Sequence, residues 1–585
     1  MQAANRVTSA PELLRLLFEY SSREDNIQNA AVCRTWSEVS LDVLWHDVDD
    51  LRAFFNTLSP IIKKKYINSK ITSGISYGYD FESEPCVKDW IRFESHYCRR
   101  VRSLSINSKS DHIGQSLLKY IALNRLSGPL LPALQNLRVN TSTSPSRWSL
   151  THYPTIFMHS GIKRISIICD LASPLAHSLL EMVQFRMPNL SYFELDCSPS
   201  CLRDDVAKLS RFLQALPHLE TLVLPTFVDP SSVLDGLLDR IKTLKIISSR
   251  ELRLSLIENS LRCNPGPFHA LENLDLAITY KLAITSLDGM PNLATLSLRS
   301  HLVESCEDIQ TLCSTISHKC RLISKLCLDY DLSPHDEVEH LFDLMIAEDS
   351  HVEEKFLPCF SDLEALLQCK NIVDFTFKHS HPLRLGPSDI ERLTLSWPRV
   401  ISLVLNPFAD EDYDNKPGCG ALLFFVHNCP RIRHLGLLLD FTDHSIPSED
   451  DMMTLPTVLL NLRTLNVGIS KVVDDIRISL FLSRICPPGI KITGLYASSE
   501  RTGEGWGLVQ RMLPFMIQQA RRTRKAFEKA RKELSTSLKV AEDRSRLLEE
   551  QVRALRELTR EGSKTASASF IVKSEEINTV MSWRT

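Results

Sequence analysis

One pentapeptide in the sequence has the residue types of a catalytic nucleophile. Gly74-Ile75-Ser76-Tyr77-Gly78 matches the Gly-x-Ser-x-Gly elbow of hydrolases, in which the serine lies on a tight turn between a buried strand and a helix. Three consecutive lysines, 63–65, lie upstream and Pro85 follows soon after, so neither flank has the required element. The pattern therefore indicates a connector loop, and we expect no hydrolase activity from Ser76.

Two cysteines, Cys197 and Cys201, have a spacing that occurs in metal sites. A closed zinc site needs four ligands, and no second cysteine pair or histidine-rich segment lies nearby. The 16 cysteines are scattered, many within apolar runs where a reduced thiol packs as a small hydrophobic side chain, and the 18 histidines are dispersed. The sequence therefore predicts no catalytic residue, no metal and no cofactor.

The overall composition is that of a folded protein without a strong global charge. At 585 residues, the chain is about twice the size at which a single hydrophobic core stops growing, so we expect several domains or a repeat. Its 68 basic and 71 acidic residues give a formal net charge of -3, which favours neither nucleic acid nor an acidic membrane surface. We also expect no signal peptide and no membrane span, because apolar runs of ~18 residues are missing. The expected location is the cytoplasm, the nucleus or both.

Three short helices are predicted in the first fifty residues. Each begins with a capping residue that is followed three positions later by Glu or Gln: Ser9 with Glu12, Asp25 with Gln28, and Thr35 with Glu38. The first helix has Leu13, Leu14, Leu17 and Phe18 on one apolar stripe, and the third contains Trp36. This is a large apolar content for a small unit, so we expect part of the surface to need a partner.

The same segment resembles an F-box-like domain. The matching residues are the run Pro11-Glu12-Leu13-Leu14, then Phe18, the run Ala31-Val32-Cys33-Arg34-Thr35-Trp36, and the residues 41–45. Further segments, 48–60, 89–93 and 100–104, are similar to the connectors of fungal F-box proteins with leucine-rich repeats. The resemblance divides this part of the chain into an F-box-like domain over 1–60 and a connector over 61–97. The sequence departs from the family at Ala10, where a leucine usually precedes the proline.

The resemblance implies that the N-terminal helices bind a Skp-type adaptor and, through it, a cullin ubiquitin ligase. The residues carried over as adaptor contacts are Pro11, Leu14, Phe18, Val32, Cys33 and Trp36. For Phe18 and Trp36 the alternative is that they fill the core of the small domain itself. Because Ala10 shortens the apolar start of the motif, docking is expected to be weaker than is typical of the family.

A repeat starts near Val101, with the pattern apolar, two variable, apolar, one variable, apolar. The middle apolar residue occurs thirteen times, at Leu104, Leu137, Ile165, Phe193, Leu222, Leu244, Leu274, Leu296, Leu326, Phe375, Leu403, Leu435 and Leu465. Most successive gaps lie near 28 to 30 residues, at the upper end of the leucine-rich-repeat range. The repeat therefore predicts an α/β fold, a leucine-rich-repeat solenoid shaped as a horseshoe over 98–500. The gap of 49 residues between Leu326 and Phe375 is either a degenerate repeat or an inserted loop.

The variable residues of each repeat are predicted to lie on the concave sheet, because successive side chains of a strand point to opposite faces. Candidate contacts with an unknown protein substrate are Tyr192, Glu194, Thr295, Ser297 and His434. The repeats lack a consistent asparagine after the strand, so the horseshoe is expected to be uneven. No single charge or aromatic stripe dominates these positions, so the sequence does not identify the substrate.

The C-terminal part is predicted to form a long charged helix over 507–561, followed by a disordered tail over 562–585. Phe527, Leu534, Ala541, Leu548 and Leu555 recur every seven residues, as in a coiled coil. Arg531 and Ser545 interrupt the neighbouring seam, so the alternative is a solvent-exposed helix that caps or trails the solenoid.

Two functions from different classes remain open. The first is a non-catalytic receptor subunit of a Skp-cullin-F-box ubiquitin ligase, which binds its adaptor through the N-terminal helices and its target through the repeats. The second is a leucine-rich-repeat scaffold for protein-protein interaction, in which the N-terminal helices only cap the solenoid. An enzyme centred on Ser76 ranks third.

Overall fold

The architecture is that of a small helical unit followed by one long, regular sheet covered by helices on one side. In the computed structural model, the described residues are 10–67, 75–107, 113, 115–125, 128–140, 153–169, 174–197, 203–228, 233–234, 237, 239–247, 257, 268–300, 302–330, 354–407, 416–442, 446, 459–494 and 503–581. Cys201 and Ser9 lie outside these residues.

The three predicted N-terminal helices are confirmed as α1 (Pro11–Glu19), α2 (Arg23–Asn29) and α3 (Arg34–Leu44). The predicted caps differ from those observed. Helix α1 starts at Pro11, whose fixed φ suits the first helical position, after an Ala10 without a side-chain cap. Ser22 caps α2 by accepting a hydrogen bond from the Asp25 backbone N–H, and Cys33 occupies the N-cap position of α3. Asp25 is thus the third residue of its helix and not its cap.

The connector contains regular structure where a loop was predicted around Ser76. Before the connector, the predicted F-box-like segment ends with β1 (Asp47–Val48) and α4 (Leu51–Asn56). The connector itself comprises β2 (Ile61–Ile67), β3 (Ile75–Phe81), α5 (Val87–Phe93) and a π-helical turn (Glu94–Cys98). Strands β2 and β3 form an antiparallel hairpin in which Tyr66 pairs with Ser76. The loop prediction is therefore wrong, because the β-branched and aromatic residues of both segments favour strands.

The thirteen predicted repeat strands are all present, and two more extend the sheet. Among the described residues the fifteen parallel strands follow the order β1, then β4 to β17. Their bounds are β4 (Ser103–Asn107), β5 (Asn136–Asn140), β6 (Arg164–Cys169), β7 (Tyr192–Cys197), β8 (Thr221–Pro225), β9 (Thr243–Ile247), β10 (Asn273–Ala277), β11 (Thr295–Ser300), β12 (Lys325–Tyr330), β13 (Asp374–Phe377), β14 (Ser402–Leu405), β15 (His434–Leu437), β16 (Thr464–Gly468) and β17 (Lys491–Gly494). Each repeat marker pairs with the next one, from Leu104 with Leu137 to Leu435 with Leu465. The register is thus set by the buried apolar residues.

Helices cover the face of the sheet to which the repeat markers point. They are α6 (Gln115–Asn124), α7 (Pro174–Arg186), α8 (Arg203–Gln214), α9 (Tyr280–Ser286), α10 (Cys306–Lys319), α11 (Phe360–Leu363), α12 (Pro387–Ser396), α13 (Leu422–Asn428) and α14 (Asp475–Ile485). Proline shortly after a helix sets its end, as at Pro188, Pro398 and Pro430, which follow α7, α12 and α13. One continuous core runs from Val48 to Ile517, as expected when each repeat buries its neighbour.

The long gap in the repeat is an insertion within one repeat. Strands β12 and β13 pair directly, so the intervening residues place no strand between them. The described part of this segment contains α11 between two 3-10 turns, Glu354–Phe356 and Glu364–Gln368, and it packs against α10. The degenerate-repeat alternative is therefore excluded.

The C-terminal helix α15 (Gly503–Met581) is longer than the sequence indicated at both ends. Its first turns pack on α14 through Trp506, Val509 and Leu513, and the Trp506 Nε1–H donates to the Ser470 carbonyl over 2.7 Å. The predicted disordered tail is corrected as far as Met581, because the residues after Gly562 include no proline and several strong helix formers.

Candidate protein-binding surfaces

The N-terminal helical unit has a small core of its own. Leu14, Phe18 and Val39 are buried there, and Trp36 meets Phe18 edge to face with ring centroids 5.3 Å apart. The Asn26 side chain is also buried and donates to the Phe18 carbonyl over 2.9 Å, which ties α2 to the end of α1. This core is separate from that of the solenoid.

The structure divides the six predicted adaptor contacts into two groups. Leu14 and Phe18 are buried in the core of the unit, so the prediction that they contact a partner directly is corrected. Pro11, Val32 and Cys33 are exposed, and Trp36 is half-buried. Of the two alternatives for Phe18, the structure supports the core, because an interior side chain offers no surface to a second protein.

The single apolar stripe predicted for α1 is corrected, because Leu13 and Leu17 do not share the buried side of Leu14 and Phe18 but belong to a second, exposed stripe. Leu13, Leu16, Leu17 and Tyr20 are exposed, with Tyr20 retaining 93% of its accessible surface. Their spacing of three, four and seven residues places them on one side of the helix, beside the buried Leu14 and Phe18. We call these four residues the α1 stripe. The signal was present in the sequence, since α1 has more apolar residues than one core-facing stripe requires.

An arginine from the solenoid joins this unit to the repeats. The Arg100 guanidinium forms ion pairs with the Glu38 and Asp42 carboxylates of α3, and it donates to the Glu38 carbonyl over 2.9 Å. The hydrogen bond from Arg100 holds the pKa of the Glu38 carboxyl below its usual range. At the end of α3, Trp45 packs on Phe54 and Tyr97 of the main core. The helical unit is therefore held to the start of the solenoid.

The second surface is the face of the sheet opposite the helices, which we call the open face. On β6 and β7 the Arg164 guanidinium lies over the Tyr192 ring, 4.1 Å from its centroid, and the Tyr192 hydroxyl donates to Glu194 over 2.9 Å. Burial, together with the Glu194 carboxylate, raises the pKa of the Tyr192 hydroxyl to about 12. These three side chains form a preorganised aromatic and charged cluster.

A row of alternating charges crosses the next strands of the open face. Asp275 on β10 lies 3.7 Å from the Lys245 ammonium on β9 and 2.9 Å from the Arg299 guanidinium on β11. Asp329 on β12 pairs with Lys378, just after β13, over 2.9 Å. We call these five residues the charge row. The Oδ1 atom of Asp275 is buried and accepts no hydrogen bond from the described residues.

The five predicted substrate contacts all lie on the open face but not at one point. Tyr192 and Glu194 lie on β7, Thr295 and Ser297 on β11, and His434 on β15. Four strand spacings separate each pair of neighbouring groups, or about 19 Å. His434 is exposed and its Nδ1 lies 2.7 Å from the Thr464 hydroxyl. The predicted residues therefore mark an extended surface, and the charge row was not part of the prediction.

The described residues give no support for an active site. Ser76 lies within an antiparallel strand and not on a strand-to-helix turn. Cys197 is buried at the end of β7, and no three His, Cys, Asp or Glu side chains in the described part of the chain are grouped so as to hold a metal ion. Burial raises the pKa of thiols such as Cys429, to about 12, which keeps them protonated and unreactive. No helix in the described ranges has the length and apolar character needed to cross a membrane.

Comparisons with known proteins yield distant structural neighbours. No family model matches the chain, and neither does any curated protein. The crystal structure of the Rad7 and Elc1 complex in yeast overlaps 65% of this chain and 86% of its own, at 17% identity and a TM-score of 0.35. A leucine-rich-repeat-containing protein, LegL7 from Legionella pneumophila, overlaps 65% of this chain and 98% of its own, at 11% identity and a TM-score of 0.29. The chain itself, with one parallel strand and one return segment in each repeat, has the fold of a leucine-rich-repeat solenoid.

Proposed function

We propose that this chain is the substrate-recognition subunit of a Skp-cullin-F-box ubiquitin ligase. The N-terminal helical unit binds a Skp-type adaptor, and the open face of the solenoid binds the protein substrate. The observation that supports this most directly is the α1 stripe, an exposed apolar surface on a unit that is fastened to a repeat solenoid. The function requires no catalytic residue in the chain and would be carried out in the cytoplasm or the nucleus.

The α1 stripe favours a protein partner for a physical reason. Single exposed apolar residues are common on soluble proteins, but a contiguous patch is typical of an interface. Four large side chains on one side of α1 form such a patch, and Val32 and Cys33, at the start of α3, are exposed as well. Burying each side chain contributes roughly 1 to 3 kcal/mol to association before the cost of ordering is subtracted. The stripe replaces Leu14 and Phe18 as the proposed contact surface.

The open face suits recognition of a folded protein more than a small ligand. The charge row and the cluster at Tyr192 offer alternating polar groups over a broad surface, whereas a small-molecule site is a dry concave pocket. A substrate held on this face would be tethered to the same chain as a ligase that is bound at the N-terminal helical unit. Ubiquitin transfer by another subunit would then be accelerated by proximity alone.

Adaptor binding can be tested with the full chain and a purified Skp-type adaptor. We expect a Leu16→Asp, Leu17→Asp variant to bind at least about 100-fold more weakly than the wild type, because two apolar side chains at the centre of the stripe are replaced by charges. A matched variant, Leu395→Asp, Leu460→Asp, changes exposed leucines of the solenoid and should bind as the wild type does. The proposal fails if the folded wild-type chain does not bind the adaptor, or if both variants bind equally well.

A scaffold without a ligase is the second candidate, and the Arg100 contacts favour it. In this case the helical unit only protects the first strands of the sheet, as a cap does in other repeat proteins. A Leu14→Asp change places a charge in the core of the unit and should unfold it. Loss of hydrogen-exchange protection in β4 and β5 would support the scaffold, whereas unchanged protection would favour the receptor.

A further inference from the structure

We propose that the exposed part of α15 pairs with the same helix of a second copy of this chain, as a parallel two-stranded coiled coil. The chain would then be a dimer whose two solenoids lie at the same end of the coiled coil. This inference is independent of adaptor binding and goes beyond it.

The first observation is that most of α15 lies in solvent. From 521 to 561 every residue is exposed except Arg524, which is half-buried. Helices in proteins owe most of their stability to the packing of an apolar face. Several large apolar side chains of this segment, including Phe527, Leu534 and Leu555, retain more than half of their accessible surface. A partner that covers them would supply the missing packing.

The second observation is that the apolar residues follow a heptad that starts in the packed part of the helix. Leu513 and Ile517, which are buried on the solenoid, are one d and one a position of this heptad. The later d positions are Phe527, Leu534, Ala541, Leu548 and Leu555, and the a positions between 531 and 559 are Arg531, Leu538, Ser545, Val552 and Thr559. We call the line of a and d residues along the helix the seam. A seven-residue repeat winds two helices around each other left-handedly, so the seams of the two helices stay in contact along their length. The seam therefore continues beyond the solenoid.

The third observation is that the charges beside the seam select a parallel arrangement. In a parallel pair, Arg544 at a g position lies opposite Glu549 at the next e position of the partner helix, so opposite charges meet. In an antiparallel pair, the e positions of the two helices face each other. Three of the five e positions from 528 to 556 are glutamates, so Glu542 at the centre would repel its own copy, and only Glu528 would meet a cation, Arg556. Polar residues at the a positions, Arg531 and Ser545, lower the stability of the pair but fix its register. Charge complementarity thus identifies a second copy, in parallel, as the occupant of the seam.

A dimer would change how the open face works. Two solenoids joined by one coiled coil present two copies of the charge row to the same target. After one solenoid has bound, binding of the second solenoid to the same target is intramolecular. This raises the apparent affinity for a substrate with two sites or for an oligomeric substrate.

The mass of the full chain in solution tests dimerisation. We expect the wild type at twice 66.5 kDa by light scattering, and a Leu534→Glu, Leu548→Glu variant at 66.5 kDa. The matched control is Val540→Glu, Leu547→Glu, because both residues are equally exposed on α15 but lie at c positions outside the seam. The control should remain dimeric. A monomeric wild type, or a control that dissociates as the seam variant does, would overturn the proposal and leave adaptor binding untouched.

Cysteine cross-linking tests the direction of the pair. Residue 545 is an a position, so Ser545→Cys places two thiols at the same level of a parallel coiled coil, within reach of a disulfide. We expect an interchain disulfide on oxidation, which is visible on a non-reducing gel. Thr536→Cys, at the outward f position, should give only the background of the wild type. A dimer that forms no cross-link at 545 would show that the pair is not parallel.

Discussion

The Arg100 guanidinium is paired with the Asp42 carboxylate, and this contact joins the repeat domain to the last helix of the N-terminal unit. Arg100 retains only 11% of its side-chain exposure, whereas Asp42 retains 48%. The cation is therefore held in place by the solenoid while its partner lies at the surface. This geometry makes Arg100 the residue through which the two parts of the chain can be uncoupled without changing either core.

We expect Arg100→Ala to loosen the helical unit relative to the solenoid. The two ion pairs are partly solvated, so the loss should be about 1 to 2 kcal/mol, below that of a buried pair. Hydrogen exchange should accelerate in α1 to α3 and remain unchanged beyond β6. Arg99→Ala, an exposed neighbour, serves as the control. Equal exchange in both variants would contradict the role of Arg100.

We predict that Gly468→Ala is strongly destabilising. Gly468 has a φ of +55°, and a Cβ at this position would lie 1.5 Å from the Pro407 carbonyl oxygen, so the backbone must move. Gly489 also has a positive φ, of +79°, but a Cβ there meets open space. Gly489→Ala should therefore lower the free energy of unfolding only by the conformational strain, about 1 to 2 kcal/mol. Gly468→Ala should lower it by clearly more. Urea unfolding of both variants measures the difference.

The stability of the fold should depend on pH through His379. Its Nε2–H donates to the Glu304 carbonyl over 3.0 Å, and its Nδ1 accepts from the His381 backbone N–H over 3.1 Å, so the neutral ring is satisfied on both sides. Burial lowers the pKa of His379 from 6.5 to about 4. The unfolded chain therefore binds the proton first as the pH falls. The contribution of His379 to the free energy of unfolding should be fully present above pH 6.5. It should be lost as the pH falls towards 4, by about 3 kcal/mol in total.

A His379→Gln variant tests this dependence, since glutamine is neutral throughout this range. Its unfolding free energy should be lower than that of the wild type at pH 7 but should change less between pH 6.5 and 4.5. An exchange of the exposed His427 to Gln should leave the slope as it is. If the unfolding free energy of the His379→Gln variant changed with pH as much as that of the wild type, a group other than His379 would be responsible for the dependence.

We expect Arg299→Met to destabilise the middle of the sheet. Arg299 is the nearer of the two cations that pair with Asp275, whose side chain is only 12% exposed. Without the Arg299 guanidinium, the Asp275 carboxylate keeps only the Lys245 ammonium, at 3.7 Å, as a cationic partner. The free energy of unfolding should therefore fall by about 1 to 3 kcal/mol. Lys325→Met, on the next strand and exposed, should change the unfolding free energy by less than about 0.5 kcal/mol. Equal effects in the two variants would contradict a structural role for the pair.

The caps and the hairpin show where local patterns were insufficient. The three helices were predictable from their apolar spacing, but a capping residue competes with its neighbours, and Ser22 satisfies the helix end that Asp25 was expected to satisfy. The hairpin at Ser76 was hidden because its lysines suggested a loop. A strand can contain consecutive lysines as long as its backbone pairs with a neighbour, as β2 does with β3, and the Lys64 ammonium there donates to the Phe81 carbonyl over 3.0 Å.

The repeat was predictable from residue type and spacing alone, since one apolar residue at a regular interval places every marker from Leu104 to Leu465 in register on one sheet. The burial of these apolar residues stabilises this arrangement, and their type and spacing predict which residues are buried. Which apolar residues of α1 are buried and which are exposed depends on the packing of the three helices and was not predictable from their spacing. Leu14 and Leu17 have the same chemistry, and the difference between them comes from where α3 packs. The charge row was likewise invisible in the chain order, because residues about 25 to 50 positions apart meet only when adjacent strands pair.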